Sequence, residues 1–227
     1  MRATTLAVIT ALGLAGGLEA ASLPPLEVQA RTESFIYYSR GEQPVDVKKS
    51  ERFLAQVEAH LGHETSGPTA YYRVDHAAVV QARMGLYSDG ATDLTDGTIV
   101  SVREYDPHEI VHRVVAEIGN PGLFFHEGLA VALGDRGRVR GKKVDGLARD
   151  GLRRASFDSF LRRFDRSPEA YAVAGSFVAF LLEDGGGEAL RTFFEECGRT
   201  GRPSGEAFQR AFGMSLDEAA GRWQASL

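Results

Sequence analysis

At 227 residues, 43% hydrophobic and 25% charged, the chain has room for one ordinary domain with a sizeable core, which argues against wholesale disorder. Its formal net charge of −5 lacks the basic excess of a nucleic-acid binder, so no nucleic-acid partner is expected. With one cysteine, Cys197, no intrachain disulfide can form and the fold must stand on its core.

Met1-Arg2 gives a short positive start, Leu6 to Leu18 is apolar without a charge, and small residues Ala20, Ala21 and Ser22 precede Pro24-Pro25. That order is the one a secretory signal peptide has, expected over 1–22, with the mature domain at 23–227 and a secreted or periplasmic destination. The apolar run is too short to cross a bilayer comfortably, and no later segment is long and apolar enough. No stable membrane span is therefore expected after leader cleavage.

Ser34 to Tyr38 is aromatic and β-branched and reads as a strand, broken by Gly41 to Pro44. From Val47 to Leu61 apolar residues recur at Phe53, Leu54, Val57 and Leu61, the spacing of a helix ended by Gly62. Tyr71 to Val74 reads as a second strand, Ala77 to Met84 as a short helix, and Asp89-Gly90 and Asp96-Gly97 as turns. Thr98 to Val102 is a strand by composition, followed by a helix with Pro107 in its first turn, stopped at Gly119–Gly122. The next helix is expected from Leu123 to Leu133, then an exposed basic loop from Asp135 to Lys143. Helices at Ala170–Leu182, Glu188–Cys197 and Ser215–Leu227 complete the chain. A strand-rich first half and a helical second half make the expected class α+β.

His108-Glu109-Ile110-Val111-His112 carries the chemistry. Each helical residue advances about 100°, so residues four apart lie about 40° from each other, and both imidazoles can reach one ion. Neutral histidine nitrogens suit zinc, whose catalytic sites usually hold three protein ligands and one open position. Glu109 is adjacent, near enough to take a proton from attacking water. Glu117 lies roughly opposite the histidines on the same helix and cannot supply the third ligand. The turn at Gly119–Gly122 returns the chain, and the next helix offers both His126 and Glu127. Consecutive helical residues point about 100° apart, so one of the two faces the ion, and chemistry alone does not choose between them.

His108-Glu109-Ile110-Val111-His112 followed by Glu127-Gly128-Leu129-Ala130 resembles the gluzincin branch of the MA clan of metallopeptidases, and more closely the small peptidase-MA-like bacterial domains. The likeness takes in the preceding strand, the Tyr171…Gly175-Ser176-Phe177 helix and a closing stretch from Ala211 to Trp223, about residues 34–227 in all. It implies a zincin-like fold, zinc (Zn2+) held by His108, His112 and Glu127, and Glu109 as general base. It also nominates Tyr171 as a donor to the developing oxyanion, a role worth about 3 kcal/mol for a single donor. The chain departs from the family in having His126, after two phenylalanines, where a bulky apolar residue is usual. In zincins an edge strand binds substrate backbone, and Thr98 to Val102 is the expected element.

The reading that follows is an exported zinc metallopeptidase acting on a peptide or protein substrate, with oligomeric state open. The alternative is an exported non-catalytic binding or envelope-associated module with a structural or absent metal, against which the intact Glu109 weighs. A chance motif in an unrelated α+β domain would bind no stoichiometric metal.

Overall fold

A computed structural model describes residues 26–41 and 43–227; the leader expected over 1–22 lies outside the described residues. The chain is mixed α+β, with strands gathered in the first half and helices in the second.

Five strands form one sheet: β1 (Glu27–Arg31), β2 (Phe35–Ser39), β3 (Thr69–Arg73), β4 (Gly90–Thr92) and β5 (Ile99–Ser101). Their order is β1-β2-β3-β5-β4, with β2, β3 and β5 parallel and the two edge strands antiparallel to their neighbours. Alternation sets the two faces. Phe35, Tyr37, Tyr71 and Ile99 point to the main core, whereas Tyr72 and Val100 point to the other face. On that second face Tyr38 and Tyr72 stack at 4.7 Å, and helix α2 (Ala77–Met84) covers it through Val80.

Helix α1 (Val47–Leu61) lies on the main-core face; Asp46 accepts from the Lys49 amide at its start, and Gly62 closes it in a left-handed conformation. Beside it runs α3 (Pro107–Ile118), buried on nearly every side. A helix so enclosed must satisfy its polar groups internally. Buried Arg113 pairs with Glu117 and donates to the carbonyls of Ser66 and Gly67, which holds Glu117 on the face away from the histidines.

Helix α4 (Leu123–Leu129) runs straight into a π-helical turn, Ala130–Gly134. It then meets a hairpin of β6 (Arg138–Val139) and β7 (Lys142–Lys143), which replaces the loop expected there. The remaining helices are α5 (Val144–Leu152), α6 (Phe157–Arg162), α7 (Pro168–Cys197), α8 (Gly205–Phe212) and α9 (Leu216–Ser226). The span α7 holds the two helices expected there, meeting at Gly186, whose φ of 76° and ψ of 176° are non-helical. Phe124, Phe125, Phe157, Phe177 and Trp223 form the aromatic centre of this half. The Trp223 indole donates to Ser176 Oγ at 3.0 Å, and Ser176 in turn donates to Asp145.

Two glycines allow the motif helices to approach their neighbours. A Cβ on Gly128 would stand 2.7 Å from the Ala174 carbonyl oxygen, so α4 is seated on α7 rather than on α3 at this point. A Cβ on Gly134 would stand 2.8 Å from the His108 Cα, so it is the π turn that touches the start of α3. Gly128→Ala should therefore destabilise the protein by about 2 kcal/mol, because backbone rather than a movable side chain must give way. Urea denaturation of the two proteins checks this.

Candidate metal centre

The motif residues converge beside the edge strand β4, where Thr92 meets Glu109. Helix α3 presents His108, Glu109 and His112, and α4 presents Glu127 against them. The His108 Nε2 lies 3.1 Å and the His112 Nε2 lies 3.4 Å from the same oxygen, Glu127 Oε2. One ligand atom from each residue lies within 4.8 Å of the others, and all three side chains are largely buried.

This group could hold a metal ion. Two donors each about 2.05 Å from a tetrahedral ion stand about 3.3 Å apart, and the two nitrogen–oxygen separations bracket that value. The donor set of two imidazoles and a carboxylate suits zinc chemistry. The third position goes to Glu127, and His126 does not join the group.

Asp135 supports His108 from behind. The His108 Nδ1 donates to Asp135 Oδ2 at 2.9 Å, which directs Nε2 toward the cluster. The π turn makes this contact: the Asp135 amide bonds back to the Ala130 carbonyl, five residues earlier, and the extra residue brings the aspartate onto His108.

The electrostatics follow from burial and pairing. Burial works against a charged His108, but the hydrogen bonds to Asp135 and Glu127 outweigh it and hold its pKa well above the ordinary histidine value. Burial likewise opposes the Glu127 carboxylate, and its hydrogen bonds with His108 and His112 win, holding it well below the usual carboxylate range. Glu109 is raised, first by burial and then by neighbouring Asp106, against the pull of His112. Thr92 on β4 donates to Glu109 Oε2 at 2.7 Å and to the Glu109 carbonyl at 3.1 Å. Gly90 of the same strand leaves the space these carboxyls fill, since a Cβ there would stand 2.6 Å from Asp106 Oδ2 and 2.9 Å from Glu109 Cγ.

Tyr171, near the start of α7, faces the cluster, its ring 6.4 Å from that of His108 and 5.2 Å from that of Phe164. Burial, reinforced by Glu127, pushes its phenol up to about 12. Arg166 stands just before α7 in a left-handed conformation (φ 59°), its guanidinium 3.4 Å from Glu127 Oε1. Glu127 thus turns one oxygen to the histidines and the other to Arg166.

Open space lies on both sides of the cluster. A cleft of about 270 Å³ runs past Leu86, Tyr87, Leu94 and Leu123, and another of about 700 Å³ runs past Asp89, Arg103, Arg138 and Arg140. Ser88, Gly90, His108, Glu109 and Tyr171 line both. The edge strand beside them is β4. The expectation that Thr98 to Val102 forms the edge is corrected: β5 lies between β3 and β4. The Asp89-Gly90 pair, read as a turn, leads directly into the covering strand, whose three residues carry too little alternation to be recognised. The Asp89 carbonyl accepts from Val102 and the Asp93 amide donates to Thr98, so by alternation the main-chain groups of Gly90 and Thr92 point away from the sheet.

Asp135, Arg166, Thr92 and Gly90 were not identified from sequence. Asp135 carries no local signal, because its role depends on the π turn. Cys197 is buried and packs away from the cluster, with Sγ accepting from the Ser204 amide at 3.4 Å. No helix of the described residues is long and apolar enough to cross a membrane. No protein-family model matches the chain, and no curated protein matches it.

Two outcomes follow from this geometry. Asp135→Asn should weaken metal affinity by about 10–100-fold, as loss of a histidine-orienting carboxylate does, measured by competition with a chromogenic chelator. His126 gives a pH dependence. It is 1% exposed, neither ring nitrogen has a hydrogen-bond partner among the described residues, and burial, aided by nearby His112, holds its pKa down at about 3. The unfolded chain therefore takes up this proton first, so the stability is present above about pH 6.5 and is lost as pH falls toward 3. Between pH 7 and pH 5 the metal-free protein should lose about 2 kcal/mol more stability than its His126→Leu variant, read by denaturant titration at both pH values.

Proposed function

We propose that the chain is an exported zinc-dependent metallopeptidase of zincin-like fold, hydrolysing peptide bonds by attack of activated water. The observation that carries this reading is the partly unpartnered carboxylate of Glu109 beside a three-donor cluster, on the wall of a groove bounded by an antiparallel edge strand. A closed structural zinc site uses four protein ligands, whereas three beside a carboxylate match a site that keeps one position for chemistry. The HExxH…EGLA resemblance supports the same assignment, and the leader-like first residues support export.

In this mechanism His108, His112 and Glu127 hold the ion, with Asp135 and Arg166 fixing His108 and Glu127. Bound zinc supplies Lewis acidity toward a carbonyl oxygen and toward water. Glu109 is held by Thr92 through Oε2, and its Oε1 has no hydrogen-bond partner among the described residues. That oxygen takes the proton from attacking water and later passes it to the leaving amine. Burial raises its pKa toward the working range of a general base, which favours both transfers. Tyr171, kept protonated by its raised pKa, donates to the oxyanion that forms when the carbonyl is attacked. The outward main-chain groups of Gly90 and Thr92 hold the substrate as an added strand.

Glu109→Gln should retain one metal per chain and lose at least about 10²-fold in hydrolysis of a fluorogenic peptide library. His108→Ala should lose metal and hydrolysis together. Unchanged cleavage by the Glu109→Gln protein would contradict the mechanism. Stoichiometric metal in a protein that cleaves no peptide would favour the non-catalytic module.

A further inference from the structure

We propose that the groove takes an extended peptide bearing acidic side chains on one side of the metal cluster and an apolar side chain on the other. The proposal rests on the peptidase reading for the kind of chain bound, and goes beyond it in naming the class.

The segment from Arg136 to Lys143 carries five cations in eight residues. A run of this kind in a flexible loop is ordinary solvated surface. Here it is folded: β6 and β7 pair through Arg138 with Lys143 and Val139 with Lys142, and Arg140 and Gly141 turn the chain with φ of 50° and 78°. Two consecutive positive φ values are those of a tight hairpin turn whose twist matches its strands. The cations are thus presented from a defined scaffold.

None of the five forms an ion pair among the described residues, although acids outnumber bases in the chain, 31 to 26. Elsewhere exposed arginines do find acids: Arg154 with Glu169, Arg210 with Glu196, Arg222 with Asp184. Arg138 and Arg140 line the larger cleft together with His108 and Glu109. Three of the four acids in that cleft are engaged by other groups, and the fourth, Glu109, is held by Thr92 through one oxygen. Asp135 accepts from His108, Asp106 accepts from Ser101 and lies near Arg103, and Asp89 also pairs with Arg103. Among the described residues, then, no acid pairs with the hairpin cations, which stay available to a ligand.

The opposite end differs in kind. Leu86, Tyr87, Leu94 and Leu123 line the smaller cleft, and Tyr87 and Leu123 remain 70% and 41% exposed. A ligand spanning both ends meets apolar surface, then the metal cluster, then arginines. Charge complementarity selects aspartate or glutamate at the last position. A nucleic acid would satisfy the arginines as well. It would have no side chain for the apolar end, and could not use the β4 main chain as a peptide does.

Binding, rather than turnover, tests this, using the metal-loaded full chain carrying Glu109→Gln. Fluorescein-labelled peptides pair a phenylalanine with a run of glutamates, glutamines or lysines on either side, and a length-matched single-stranded oligodeoxynucleotide serves as the fourth probe. The glutamate peptide should bind about tenfold tighter than its glutamine counterpart, with the advantage shrinking as salt rises. Adding R138E and R140E, both at exposed positions, should transfer the preference to the lysine peptide, while R138Q and R140Q should remove it. Equal affinity for glutamate and glutamine peptides would overturn the proposal. So would an unaltered ranking after charge reversal, no binding of any peptide, or tighter binding of the oligonucleotide. An acidic peptide that binds as expected but is never cleaved by the wild-type protein would overturn the peptidase reading alone.

Discussion

A buried carboxylate must be neutralised or paired, and the fold is arranged around that requirement at Glu127. Its side chain is 6% exposed, with one oxygen facing two imidazoles from α3 and the other facing Arg166. Removing one member of such a group leaves charge stranded in a low-dielectric interior, a cost of about 3–5 kcal/mol. The packing that keeps the group together is backbone against backbone. Gly128 lets α4 sit on α7, and Gly134 lets the π turn reach the first turn of α3. Because backbone atoms of Ala174, Pro107 and His108 stand at these contacts, the main chain sets how closely the elements carrying His108 and Glu127 approach their neighbours.

The same constraint separates two chemically different carboxylates on neighbouring elements. Glu127 is drawn below the usual carboxylate range by its histidines, and Glu109 is lifted by burial and by Asp106. One stays anionic beside its histidines, and in the proposed mechanism the other serves as the base. Environments that drive titratable groups apart in this way assign distinct roles to residues of the same type. The edge strand contributes to both the tuning and the groove, since Thr92 holds Glu109 and Gly90 leaves room for Glu109 and Asp106.

Much of the site could be read from spacing. Residues four apart on a helix had to bring His108 and His112 together, and Glu117 had to lie elsewhere, where it pairs with Arg113. The choice between His126 and Glu127 depended on rotation of α4 about its axis, which sequence periodicity alone left open and packing on α7 determines. The helices at 47–61 and 107–118 were legible because their apolar periodicity is strong. Strand β4 was not, being three residues long, beginning with glycine and preceded by a turn-like pair. Helices α5, α6 and α8 are six to nine residues long, too short for a periodic signal. Asp135 and Arg166 lie where chain direction changes, at a π turn and a left-handed residue. Neither contact is encoded locally, so neither could be inferred before the tertiary arrangement was known.

X-ray absorption on the purified full-length chain, with elemental analysis of the same sample, addresses the metal centre most directly. One zinc per chain is expected, with a first shell of two imidazole nitrogens and a carboxylate oxygen at about 2.0–2.2 Å and no sulfur. A chain that binds no metal stoichiometrically, or one whose ion is surrounded by sulfur or by water alone, would contradict it.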